Sequence, residues 1–123
     1  MNIKIHHIDN KAIAEVISER VILNNVQDVL DLISESFSQG SRVIILQEKN
    51  ILTDFFDLKT RIAGEILQKF TTYNIHLAIV GDFSKYTSTS LQDFIFESNK
   101  HGRIIFVSSV GPALERFGNL NLD

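Results

Sequence analysis

Three short apolar runs decide most of what this chain can fold into. Arg42 to Gln47 (RVIILQ), Ile75 to Val80 (IHLAIV) and Arg103 to Val107 (RIIFV) each string hydrophobic residues together with polar residues on either side. Runs of this length without alternation read as strands buried on both faces, as in a parallel sheet. Between them the apolar spacing changes to threes and fours. Val26, Val29, Leu30, Ile33 and Phe37 share one helical face, with Asn24 or Asn25 as cap and Gly40 as terminator. Phe55, Leu58, Ile62, Ile66, Phe70 and Tyr73 predict a long second helix opened by Thr53 or Asp54. On its wet side Asp57–Arg61 and Glu65–Lys69 are i,i+4 pairs. Gly64 sits inside it, where close packing against a neighbour is the expected reason for a glycine. Leu91, Phe94 and Ile95 predict a short third helix, with capping-box spacing at Thr89 and Gln92 and a stop at Gly102. Ser108 or Ser109 opens a fourth, with Val110, Ala113, Leu114 and Phe117 inside. Residues 118–123 are expected to fray.

Upstream, Ile3, Ile5 and Ile8, the turn Asp9-Asn10-Lys11 and the run Ala12 to Ile17 predict a β-hairpin. The element order is therefore ββαβαβαβα. It implies an α/β fold with a five-stranded, mainly parallel sheet and the hairpin at one edge. A tension follows. Right-handed crossovers between strands laid side by side in chain order would put the connecting helices on one face, yet the strands are apolar on both. A reversal of strand order would relieve it. So would a partner subunit on the second face, or the first strand and last helix folded across it.

A chain of 123 residues, 44% of them apolar, fits one domain over 1–123 with a core that needs no staple. It has no cysteine, so disulfides, thiolate zinc sites and cysteine nucleophiles are excluded. No apolar run nears the ~18 residues of a membrane span, and the N-terminus lacks a signal-peptide core. A cytoplasmic protein without a membrane partner is expected. The net charge of −3, with acids and bases interspersed, gives no footprint for nucleic acid.

Ligands of open α/β sheets bind beyond the carboxyl ends of strands. After the third strand that edge carries Glu48, Lys49, Asn50, Thr53, Asp54, Asp57 and Lys59. After the fourth it carries Asp82, Ser84, Lys85, Tyr86, Thr87 and Ser88, and Ser108 and Ser109 leave the fifth. Glu48 and Asp82, if close, could raise one another's pKa and act as an acid/base pair; each could equally cap a turn or pair with Lys49 or Lys85. Ser84, Lys85 and Tyr86 are consecutive, so their side chains converge only through a special turn. Gly81-Asp82-Phe83 could form an anion nest or a plain turn. His6 and His7 point to opposite faces of a strand, and His76 and His101 stand alone, so no metal site is expected. No phosphate-loop, nucleophile-elbow or dinucleotide motif is present, and no cofactor is implied.

In its length, leading hairpin and element order the chain resembles the anti-sigma-factor antagonist, or STAS, superfamily. That resemblance implies a regulatory partner protein and a phosphorylatable hydroxyl where the helix after the third strand begins. The matching stretch, Ile51 to Lys59, lacks the Asp-Ser-Ser-Gly type of motif; Thr53 stands near that place and Thr60 lies further in. The blocks EKN, FFDLKT, AGEILQKF, LAIVGDFSKYTS and FIFESNK are similar to segments of a bacterial domain-of-unknown-function family, number 4180. That likeness implies a bacterial cytoplasmic protein and carries no activity.

Two functional expectations stand side by side. The first is a non-enzymatic regulatory or protein-interaction module, with a homodimer as one form of it, that meets its partner through 48–60 and 82–90. The second is a small enzyme or ligand-binding protein with Glu48, Asp54, Asp82 and Lys85 in a pocket at the same edge. A concave pocket of several hundred Å³ would favour the second.

Overall fold

A computed structural model describes residues 2–120. Strands β1 (Asn2–Ile8) and β2 (Lys11–Ile17) form an antiparallel hairpin in unbroken register from Ile8↔Lys11 to Asn2↔Ile17. Asp9 and Asn10 both have positive φ, 48° and 68°, the geometry of a two-residue turn whose twist matches the strands. Helix α1 (Val26–Ser38) follows, capped by Asn25, whose side chain accepts from the Asp28 N–H. Then come β3 (Val43–Gln47), α2 (Ile62–Thr72), β4 (His76–Val80), α3 (Thr89–His101), β5 (Ile104–Val107) and α4 (Val110–Gly118). The sheet order is β1-β2-β3-β4-β5, with every pair after the hairpin parallel. This is the expected α/β architecture.

The strand order never reverses, and the two apolar faces have two different covers. Val16, Ile44, Leu46, Leu77, Ile79 and Phe106 share one core with residues of α1, α2 and α3, among them Leu32, Ile66, Phe70 and Leu91. Ile13, Val43, Ile45, Ala78 and Ile105 look the other way and are closed by Ala113 and Phe117 of α4. Alternate side chains along a strand point to opposite faces, so each strand feeds both cores. The last helix folded across the sheet is thus what relieves the tension, and the second face needs no partner subunit. At the start of the tail, Gly118 is buried, its carbonyl accepts from Lys11 Nζ at 2.7 Å, and Leu120 packs on the α4 core. Residues 121–123 lie outside the described residues. Under α4, His76 meets the Phe117 ring edge-on at 5.8 Å. Burial first and the Arg103 charge second hold its imidazole below the usual histidine range.

The expected long helix from Thr53 to Tyr73 is instead a series of short 3-10 turns followed by α2. Glu48–Asn50, Thr53–Phe56 and Leu58–Thr60 are single turns, and α2 starts only at Ile62. Side chains compete with the helix here. The Asp57 carboxylate accepts from the Lys59 N–H, and the Thr60 hydroxyl bonds to the Asp54 and Asp57 carbonyls at 2.8 Å. Arg61, at φ 63°, is left-handed and breaks the path. The benefit is burial: Phe55 and Phe56 are adjacent, both are buried, and their rings meet edge-on at 4.9 Å. Asp57 and Arg61 therefore do not share a helix. Gly64 is also not a packing glycine, since a Cβ placed there meets nothing within 4 Å.

Candidate functional site

Three loops leave the carboxyl ends of β2, β3 and β4, and the turn Glu48-Lys49-Asn50 ties them together. Asn50 is fully buried. Its Oδ1 accepts from the Gln47 N–H at 2.9 Å, and its Nδ2 donates to the carbonyls of Ser18 and Arg20, each at 2.9 Å. Its own carbonyl accepts from Ile22 and Leu23. The residue therefore carries the loop after β2 on its amide, and its polar atoms face inward. Lys49 pairs with Glu19 of the same loop at 2.8 Å, an exposed contact of little energetic weight.

Glu48 reaches the other way, to the loop after β4. Its carboxylate is bound by Lys85 Nζ at 2.8 Å and by the Tyr86 hydroxyl. Lys85 and Tyr86 thus converge on one carboxylate although they are consecutive. The turn Phe83–Lys85 is a single 3-10 turn, and it swings both side chains back over the sheet edge. The Lys85 ammonium also lies 5.4 Å from the Tyr86 ring centre, within cation–π range. Tyr86 stacks on Phe56 at 5.2 Å and 16°, and Phe83 meets Phe106 edge-on, so the apolar core supports the polar cluster from below. Gly81 makes the approach possible. A Cβ there would stand 2.7 Å from Glu48 Oε1 and 2.8 Å from Glu48 Cβ, so a side chain would push the carboxylate away.

Ser84 does not join this cluster. Its hydroxyl donates to Asp82 Oδ1 at 2.5 Å and its N–H donates to the same oxygen at 3.1 Å. Those two bonds, the hydroxyl first, hold the Asp82 carboxyl below the usual range. The bonds of Asp82 run to Ser84, and those of Glu48 run to Lys85 and Tyr86. Asp82 is the cap of its turn, and Gly81-Asp82-Phe83 is a plain strand-to-loop turn closed by that cap. The Tyr86 hydroxyl is pushed well above its ordinary value, chiefly by burial and then by its bond to the Glu48 carboxylate. It serves as a donor.

Thr53, Asp54, Lys59 and Thr60 line the exposed shoulder of the same edge. Thr53 opens the four-residue turn Thr53–Phe56, and α2 begins beyond Arg61, so neither Thr53 nor Asp54 caps the helix. The Thr60 hydroxyl accepts from the Ile62 N–H at 3.3 Å and is engaged inside its turn. The structure thus brings Glu48, Lys85 and Tyr86 together, pairs Asp82 with Ser84, buries Asn50, and leaves Thr53, Asp54 and Lys59 facing solvent. Sequence reasoning named Gly81 and Phe83 only as parts of a turn, and it did not foresee that Gly81 admits Glu48 or that Phe56 and Phe83 support the cluster. The one available signal was a glycine directly after a strand, where a neighbouring loop can come close.

Cavities of about 680, 380 and 180 Å³ lie elsewhere. The first is lined by Asn2, Ile17 to Ile22, Asn24 and Asp28 at the open end of the hairpin. The second lies between α2 and α3 and includes Leu67, Phe94 and Arg103; the third touches Glu97, Lys100 and His101. The acids and lysine of the expected pocket line none of these three. No described helix is long and apolar enough to cross a membrane.

Neither a curated protein nor a solved structure matches the chain. The model of a family described as Domain of unknown function (DUF4180) matches residues 8–117, from the hairpin turn to the end of α4. With nearly the whole fold covered by that match, the chain belongs to the DUF4180 family.

Proposed function

We propose that this chain is a non-enzymatic protein-interaction module whose partner-facing surface is the edge made by 48–60 and 82–90. One observation carries the reading. Three of the four side chains expected to run chemistry there are engaged in holding loops, while the fourth, Asp54, stands in solvent and lines none of the three cavities: Glu48 is paired with Lys85 and held by Tyr86, and Asp82 is fixed by Ser84. A general base needs a free lone pair within reach of a substrate, and these carboxylates hold loops instead. The outcome is a set of tied turns displaying Thr53, Asp54, Lys59, Ser84 and the outer side of Lys85, a polar rim of the kind that gives a protein interface its specificity. The element order resembling STAS domains supports a regulatory role. Thr53, exposed in the same rim, is the hydroxyl at which a phosphate would add charge directly to the proposed surface.

Photo-crosslinking tests this. A photoreactive residue at Ser84 or Thr53 is expected to capture a discrete partner in the cells that make the protein. The same residue at Asn10, in the hairpin turn at the opposite end of the sheet, is expected to capture none. Equal labelling at all three positions, or none at the edge, would remove the edge as the working surface.

A further inference from the structure

The two outer edges of the sheet are not alike. At β5 the main-chain groups of Ile104 and Phe106 point outward, because Arg103 and Val107 are the residues whose carbonyls bond to β4. Three of those four outward groups are already occupied. The Asn99 side chain donates to the Phe106 carbonyl at 3.2 Å and accepts from the Phe106 N–H at 2.7 Å, and the Ser98 hydroxyl donates to the Ile104 carbonyl at 2.5 Å. Two consecutive residues of α3 thus stand in for a sixth strand. This closes an edge that would otherwise recruit another chain.

At β1 the edge is open. The two-residue turn makes Ile8↔Lys11 a hydrogen-bonded pair, so by alternation Ile8, His6, Lys4 and Asn2 bond to β2. Ile3, Ile5 and His7 direct their N–H and carbonyl groups outward, and among the described residues these make no turn, loop or cap hydrogen bond. β1 has seven residues, no proline and no bulge in its register. It carries few of the devices that blunt an edge strand.

We infer that the open edge of β1 pairs antiparallel with the β1 edge of a second copy of this chain, about a two-fold axis at Ile5. The choice of occupant follows from the asymmetry. With β5 closed, a head-to-tail β1-to-β5 contact, which would propagate into a filament, is blocked; a β1-to-β1 contact uses the same patch twice and closes on itself. The register is self-complementary. Ile5 meets the partner's Ile5 and Ile3 meets the partner's His7, with both residues of each pair presenting outward main-chain groups, and about six cross-edge hydrogen bonds form. Lys4 falls opposite the partner's His6. Each of these lies beside a Glu15 carboxylate of its own chain: Lys4 is directly across from Glu15, and His6 Nε2 bonds to Glu15 Oε1 at 2.8 Å. The two sheets become one ten-stranded sheet with α1–α3 of both copies on the same side. The contact is narrow, so the dimer is expected in the range of about 10–100 μM.

Sedimentation equilibrium with amide hydrogen exchange tests this. The expected species at high concentration has twice the 14.0 kDa of the chain, with the amides of Ile3, Ile5 and His7 protected. Ile5→Pro removes an outward N–H and no ladder donor, so the fold persists and Kd rises at least tenfold, roughly the loss of two cross-edge bonds. Should Ile5→Pro lose its circular dichroism, His7→Pro makes the same cut at an exposed side chain. A monomer up to about 1 mM overturns the inference and leaves the edge to an unrelated strand. A dimer that survives either folded proline variant, or one in which those three amides exchange freely, overturns it too.

Discussion

At the scale of the residue, Tyr86 ties the cluster's chemistry to stability. Its hydroxyl donates to the Glu48 carboxylate and its ring stacks on Phe56. Burial, then that bond, raise its pKa above the ordinary 10.0. The sign follows by linkage. The unfolded chain releases the proton near 10.0 and the folded chain only at higher pH, so this contribution is whole below 10.0 and is lost as pH rises above it. Tyr86→Phe keeps the ring and removes the proton. The variant is expected to be less stable than the parent by about 1–2 kcal/mol at neutral pH. The gap should narrow as urea midpoints are followed above pH 10.0. A gap that stays constant would mean that the hydroxyl does not couple to Glu48. Asn50 shows the complementary logic: one buried amide satisfies the last N–H of β3 and two carbonyls of the loop after β2.

At the scale of the element, α2 is short because its first turns were diverted to bury Phe55 and Phe56. What remains still carries a defect. Gly64 is exposed, has helical backbone and has open space where a Cβ would go. Gly64→Ala is therefore expected to stabilise the protein by about 0.5–1 kcal/mol, read as a rise in the urea midpoint with unchanged slope. A loss of stability would mean that the glycine serves an approach not present in the isolated chain. Helix α3 is unusual in the opposite way. Only Leu91 is fully buried, Phe96 is 66% exposed, and Ser98 and Asn99 are spent on the edge of β5. Its work is to close the sheet as much as to cover it.

At the scale of the whole molecule, one sheet feeds two cores. Ile66 belongs to the face covered by α1–α3, and Phe117 to the face covered by α4. Because successive residues of every inner strand serve opposite faces, neither core can melt and leave the other intact. Ile66→Ala and Phe117→Ala are each expected to cost about 2–5 kcal/mol. Both should retain a single urea transition, coincident by far-ultraviolet circular dichroism and by tyrosine fluorescence. Two separated transitions in either variant would show that the faces unfold independently.

The sequence by itself determined the class of fold, the hairpin, the five strands and the core residues those strands supply; on the helices it set Phe37 and Tyr73 inside, where the structure exposes them, and passed over the buried Leu32. Periodicity records burial, and burial is local in its signature: LAIV of β4 has no polar side to offer, and Asp9 and Asn10 are residue types that tolerate the positive φ of a tight turn. It also located the Glu48, Asp82 and Lys85 loops at one edge, because parallel strands exit together. The tertiary structure decided what no spacing encodes. It ended the second helix at Arg61, since the 3-10 turns before it are held by side-chain bonds that the apolar period does not register. It sent Lys85 and Tyr86 to Glu48 and left Ser84 to Asp82, since hydrogen-bond partners are chosen in space. It laid α4 across the second face, and it closed one edge of the sheet with two side chains of α3 while leaving the other open.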